Sequence, residues 1–324
     1  MVVNRLPQTA ALVNQKMKIM LDSGRCFNLE FADRNKVIGQ SDDGRGTDWR
    51  EVAARCGHGG RGCSPTRLKL ERQQEMISIQ RNLAIFNKLK LERPPVGVKF
   101  LPNKPDGVKR LDKILDFCEM LKEAQEASPF YAAKEDFTCV GPLILGMVEH
   151  EPIFESGLVG PRLEIFKEAR ANRRIYRFVP KLAKGTVNYI AFSPLDKLSF
   201  DPDVLIVTAD PSQAEIILRA NSYATGNMWS AKGTPVAACA WLYIYPYLSG
   251  ELNFTMPAFS FGMRSRRLFP EGVLLISIPW DLLPSIAGNL KEMKWVPHSF
   301  TIGRQEHKKK VKRIVEALTQ ETAA

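Results

Sequence analysis

The chain has 324 residues, 44% apolar and 25% charged, enough for one large domain or two ordinary ones around a real core. Nothing in it approaches the roughly 18 consecutive apolar residues of a transmembrane helix, and its first residues lack the basic, apolar and small-residue order of a secretion signal. The net charge of +11 invites a nucleic-acid reading, but residues 1–75 hold 13 basic and 9 acidic side chains and residues 304–324 hold 6 and 3, which leaves an ordinary +4 for 76–303.

Residues 1–75 differ in composition from the rest of the chain. Glycines and arginines intersperse there without a helix or strand period, which predicts a disordered segment or an extension foreign to the native protein, with Met76 as the true start. Cys56, His58 and Cys63 fall short of the four ligands of a structural zinc site. From Met76 onward the pattern is that of a folded domain to about residue 303. Ile79, Leu83, Phe86 and Leu89 predict an amphipathic helix over 76–91, ended by Arg93-Pro94-Pro95. Val96 to Leu101 reads as a strand, and Val108 to Ala127 as a helix with Leu111, Leu115, Cys118 and Leu121 down one buried face. Thr138, Gly141 and Pro142 mark a helix start beside Cys139. A helical segment is expected over 161–173 and a strand over 187–192.

Val204 to Thr208 reads as a buried strand, followed by an N-cap at Asp210 with Pro211 at the first helical position. Thr234-Pro235 predicts another helix start, leading to Cys239. An extended stretch over 253–260, a strand over 273–278 and a helix over 280–293 complete the domain. Strands alternating with helices imply an α/β or α+β layer fold. The basic C-terminal segment 304–324, with Lys308-Lys309-Lys310, reads as a solvated helix or tail; nucleic acid is expected as a partner only through it.

One pattern occurs twice. An apolar run ends in Pro194-Leu195-Asp196-Lys197-Leu198, and another in Pro279-Trp280-Asp281-Leu282-Leu283. The repeat predicts two related halves, about 94–200 and 201–296, with Cys139 and Cys239 at corresponding places and a cleft between the halves. The aspartates fit helix starts better than catalytic acids, because a carboxylate is favoured at the positive end of a helix.

Familiar catalytic motifs are absent: there is no glycine-rich phosphate loop, no Gly-x-Ser-x-Gly and no His-Glu-x-x-His. The cysteines at 26, 56, 63, 118, 139 and 239 form no disulfide framework and read as thiols of a reducing cytoplasm. Cys139, near a helix N-terminus, is the candidate nucleophile, redox thiol or soft ligand. Cys239 is its counterpart, although both also fit as small buried apolar groups. In Gly262-Met263-Arg264 the glycine permits close backbone approach and Arg264 offers a fork for an anion. Lys99 follows a strand, and Tyr243, Tyr245 and Tyr247 could wall a site for a flat ligand or pack an interface. No metal site is legible and no cofactor is named by these residues.

Four segments together resemble a known family. They are Glu92-Arg93-Pro94-Pro95-Val96-Gly97-Val98-Lys99-Phe100, Asp136-Phe137-Thr138-Cys139 with Gly146, Pro202-Asp203-Val204 and Gly262-Met263-Arg264. They are similar to landmarks of the prokaryotic ArCR group, a domain of unknown function, over about 76–296. The resemblance implies domain limits and no activity. It also implies cysteines near the glycine–arginine loop, where this chain has Phe259, Phe261 and Met263; a metal site built on such thiols would be lost here. The residues support binding of a small anionic or planar ligand or cofactor between the halves, with Arg264, Gly262, Lys99, Tyr243 and Cys239 as contacts. The alternatives are a thiol enzyme acting through Cys139, and a non-catalytic interaction subunit.

Overall fold

A computed structural model describes residues 83–323. The expectations for residues 1–75, and the first turns of the helix expected from Met76, lie outside the described residues. Ala84–Leu89 forms a 3-10 helix, preceded by Leu83, that ends at Lys90 in a left-handed conformation.

The strands are β1 (Val96–Leu101), β2 (Lys109–Arg110), β3 (Phe130–Ala133), β4 (Tyr189–Pro194), β5 (Val204–Ala209), β6 (Asn253–Thr255) and β7 (Leu274–Pro279). They form one seven-stranded sheet in the order β2-β3-β4-β1-β5-β7-β6. Its pairs are antiparallel except β2 with β3. The helices are α1 (Phe117–Glu126), α2 (Gly141–Ile144), α3 (Pro152–Glu155), α4 (Val159–Arg162), α5 (Ala169–Phe178), α6 (Pro211–Ser222), α7 (Tyr245–Ser249), α8 (Phe261–Ser265), α9 (Leu283–Glu292), α10 (His298–Thr301) and α11 (Arg304–Ala323). The mixed α/β class read from the alternation of patterns is the class observed.

The sheet is buried on both faces, because successive strand side chains point to opposite sides. Val96, Val98, Phe100, Val204 and Ile206 face a core closed by α1, α2, α5 and the turns around Tyr243. Leu205, Val207, Ile276 and Ile278 face a second core closed by α6, α9 and the Ala84–Leu89 helix. That double burial explains why β5 reads as an unbroken apolar run. Gly97 is required on the second face. A Cβ there would stand 2.6 Å from Pro202 Cγ and 2.8 Å from Leu198 Cδ2.

The cap at Asp210-Pro211 forms as read. Asp210 accepts from the backbone N–H of Ser212 at 2.7 Å and of Gln213 at 2.8 Å, and Pro211 opens α6. The helix expected over 108–127 instead begins at Phe117. Its first part is taken by β2, and Glu119 accepts from the Asp116 N–H at 2.8 Å, which fixes the start. The helix expected over 161–173 resolves into α4 and α5. Thr234-Pro235 does not start a helix. Ala237 adopts a left-handed φ of 55° just beyond it, so the helical turns begin only after that break.

The repeated motif has a definite place in the sheet. Pro194 ends β4 opposite Val96, the first residue of β1. Pro279 ends β7 opposite Val204, the first residue of β5. Asp196 and Asp281 then lie in short 3-10 turns. The likeness is confined to the strands, since α1 and α6 pack into different cores. The two sequence halves are joined edge to edge by the β1–β5 ladder, and segments of both pack into one core. Among the described helices none is long and apolar enough to cross a membrane. The C-terminal α11 is exposed from Arg304 to Glu321.

Candidate functional site

The segment after β3 is held residue by residue. Asp136 closes a 3-10 turn by accepting from the Ala133 N–H at 2.8 Å, and it binds the Arg110 guanidinium at 2.9 Å. Phe137 packs edge-on against Phe117, 5.6 Å between centroids. Thr138 donates its hydroxyl proton to Asp116 at 2.5 Å. Gly141 lies under the Phe137 ring, where a Cβ would come within 2.6 Å of Cδ1.

These contacts deliver the Cys139 sulfur to the first turn of α1. It accepts from the Phe117 N–H at 3.2 Å and from the Gly141 N–H at 3.4 Å. Such donors favour a thiolate. Burial opposes them and prevails, pushing the Cys139 thiol up to about 11. In this arrangement Cys139 is a protonated thiol at neutral pH, which weakens it as a nucleophile.

Two further thiols stand close by. Cys118, in the first turn of α1, is partly exposed, and burial with the nearby Cys139 pushes it up to about 12. Cys239 is 7% exposed and is driven well above the ordinary thiol range by burial, with Cys139 and Cys118 adding to the effect. Cys239 immediately precedes a π-helical turn, Ala240–Ile244. Such turns are uncommon and recur at functional sites.

That turn carries Tyr243, which is wholly buried and stacks on Phe117 at 4.5 Å with an interplanar angle of 16°. The electrostatic neighbours of its phenol are Cys239, Cys118 and Cys139. Its hydroxyl has no hydrogen-bond partner among the described residues. Tyr176 of α5 borders Cys239 and Cys139.

One side of the cluster is covered by α8. A Cβ added at Gly262 would meet only Arg266 Nη1 at 3.6 Å and Cys118 Sγ at 3.8 Å. Arg266 pairs with Asp116, which is 3% exposed, and lies 3.7 Å from Glu119.

Of the residues singled out in the sequence, Cys139, Cys239 and Tyr243 come together, and Gly262 joins them through Cys118. Arg264 is exposed on α8, and Arg266, two residues on, reaches the cluster instead. Lys99 lies on the opposite face of β1 from Val98 and donates to the Asp201 carbonyl at 2.5 Å. The tyrosines divide according to helical geometry. Tyr243 and Tyr247 turn toward the core, whereas Tyr245 packs on Trp241 and bonds Glu251. Cys139 and Cys239 do not occupy corresponding places, because Cys139 follows β3 and Cys239 precedes β6. Sequence reading missed Cys118, Asp116 and Arg266. The Asp116-x-x-Glu119 spacing was the available signal, since a helix start there puts Cys118 in an exposed-end turn. Among the described residues no three His, Cys, Asp or Glu side chains are placed to hold a metal ion.

A family model for the uncharacterised ArCR family (DUF169) matches residues 84–289, most of the chain. The chain belongs to this family. Matching residues 84–289 takes in all seven strands and the three thiols, so the cluster lies inside the ArCR domain. The ArCR chain is also 27% identical over 217 residues to an uncharacterised protein, MJ0308, of Methanocaldococcus jannaschii, covering 64% of this chain and 90% of that protein. No solved structure matches it.

Proposed function

We propose that this ArCR protein binds a small ligand or cofactor at the cluster of Cys118, Cys139, Cys239 and Tyr243 beneath α8. The observation that carries the reading is the Tyr243 hydroxyl. A buried hydroxyl without a partner costs about 1–3 kcal/mol, and a polar atom of a ligand would remove that cost. The π-helical turn that presents Tyr243 supports the same reading. The exposed Arg264 on α8 suits an anionic end. Gly262 brings the α8 backbone against Cys118, where a Cβ would lie 3.8 Å from the sulfur.

The test is native purification of the full chain followed by mass spectrometry of whatever is released on denaturation, for the wild type and for Tyr243→Phe. The wild type is expected to release a small molecule that the variant does not, and the ligand-free variant is expected to melt higher than the ligand-free wild type. A wild type that releases nothing, together with a variant that melts lower, would overturn the proposal.

A further inference from the structure

Residues 115–117 and 137–139 run side by side. Leu115 and Phe137 form a parallel bridge, Leu115 N–H donates to the Asp136 carbonyl at 2.9 Å, and Thr138 N–H donates to the Leu115 carbonyl at 3.1 Å. The next rung is the Thr138–Asp116 side-chain bond, and the one after it is the Phe117 N–H on the Cys139 sulfur. Cys118 therefore follows directly on the residue that touches Cys139. Adjacent Cα atoms stand about 3.8 Å apart, and a helical Cβ leans toward the helix N-terminus. The two thiols therefore meet at the same helix start, Cys139 on the Phe117 N–H and Cys118 one residue on. The largest electrostatic influence on the Cys118 thiol comes from Cys139.

From this juxtaposition we infer that Cys118 and Cys139 form a redox pair, which closes to a disulfide by exchange with a small disulfide such as glutathione disulfide. Cys118 is the entry thiol, because it is partly exposed and lies beside the bare Cα of Gly262. In the first step the Cys118 sulfur attacks the small disulfide, forming a mixed disulfide and expelling one small thiol, which takes up the Cys118 proton. In the second step the Cys139 sulfur attacks the Cys118 sulfur, and the second small thiol leaves with the Cys139 proton. Two protein thiols are oxidised by two electrons, and one small disulfide is reduced to two thiols. Cys239 takes no part, because it is buried. Burial keeps both reacting thiols protonated, so the exchange is slow at neutral pH and speeds up about tenfold per pH unit as the thiolate fraction grows. The inference needs no bound ligand, so it can fail while the ligand-binding proposal stands, and the reverse also holds.

The experiment exposes the native full chain, with Cys26, Cys56 and Cys63 changed to Ser, to glutathione disulfide at several pH values. Free thiols are then alkylated and peptides mapped without reduction. The expected product is a Cys118–Cys139 linked peptide that gains rate with pH and is reversed by glutathione. Cys118→Ser should leave Cys139 alkylatable, and Cys139→Ser should stop the reaction at a Cys118–glutathione mixed disulfide; circular dichroism confirms that each variant is folded. Three outcomes overturn the inference: both thiols still alkylatable after prolonged exposure, a Cys139–Cys239 link in place of the expected one, or a wild type that stops at the mixed disulfide.

Discussion

The Phe117 backbone N–H donates to the Cys139 sulfur at 3.2 Å, tying the loop after β3 to the first turn of α1. This contact joins two segments that lie 22 residues apart in the chain. It sets Cys139 beside Cys118 and both beside the buried Tyr243.

The thiols should make the fold sensitive to alkali. Burial pushes Cys139 up to about 11 and Cys118 up to about 12, against about 8.5 for a free thiol. A raised folded-state value means that the folded protein holds its proton after the unfolded chain has lost it. The stabilisation is thus complete below the unfolded thiol's value and is lost as pH rises through the folded values. The melting temperature should fall above about pH 8.5, and Cys139→Ala should fall less steeply over the same interval.

Arg266 should matter more than an ordinary surface arginine. It neutralises Asp116, whose carboxylate is almost fully buried. Arg266→Met should cost about 2 kcal/mol in urea unfolding, a discounted value because the arginine side chain is itself 40% exposed. Adding Asp116→Asn should recover part of that loss. An Arg266→Met protein as stable as the wild type would show that water already satisfies Asp116.

Gly97 has no room for a side chain. A Cβ at that position would press on Pro202 and Leu198 from the second face of the sheet. Gly97→Ala should cost about 1–3 kcal/mol, measured by thermal or urea unfolding. Gly185, which has no neighbour within 4 Å of a built Cβ, has a φ of +75° and would instead report backbone strain alone.

The cap of α6 gives an independent check on the helix assignment. Asp210 holds two N–H groups at the helix start. Asp210→Ala should cost about 1 kcal/mol, and Asp210→Ser should restore most of it.

Strands and capped helices are legible because their signals are local. The apolar run of β5, the Asp210-Pro211 start of α6 and the two Pro-x-Asp-x-Leu stops can each be read within a few residues. The helix at 117–126 is shorter than its pattern predicts because Leu111 is buried without being helical, and burial alone does not reveal backbone conformation. Thr234-Pro235 misleads for a related reason: the left-handed turn at Ala237 depends on packing that no neighbouring residue announces.

The sequence alone determined the mixed α/β class and the family, because periodicity, caps and short motifs are written in neighbouring residues. Only the tertiary structure decided which thiols meet. Cys118, Cys139 and Cys239 come from three separate segments, and their convergence depends on the parallel run of 115–117 beside 137–139 and on the π-helical turn that carries Tyr243. Such contacts arise from long-range pairing and close packing, which spacing along the chain does not encode. The same packing left the Tyr243 hydroxyl without a partner among the described residues and put Arg266, in place of Arg264, at the edge of the site.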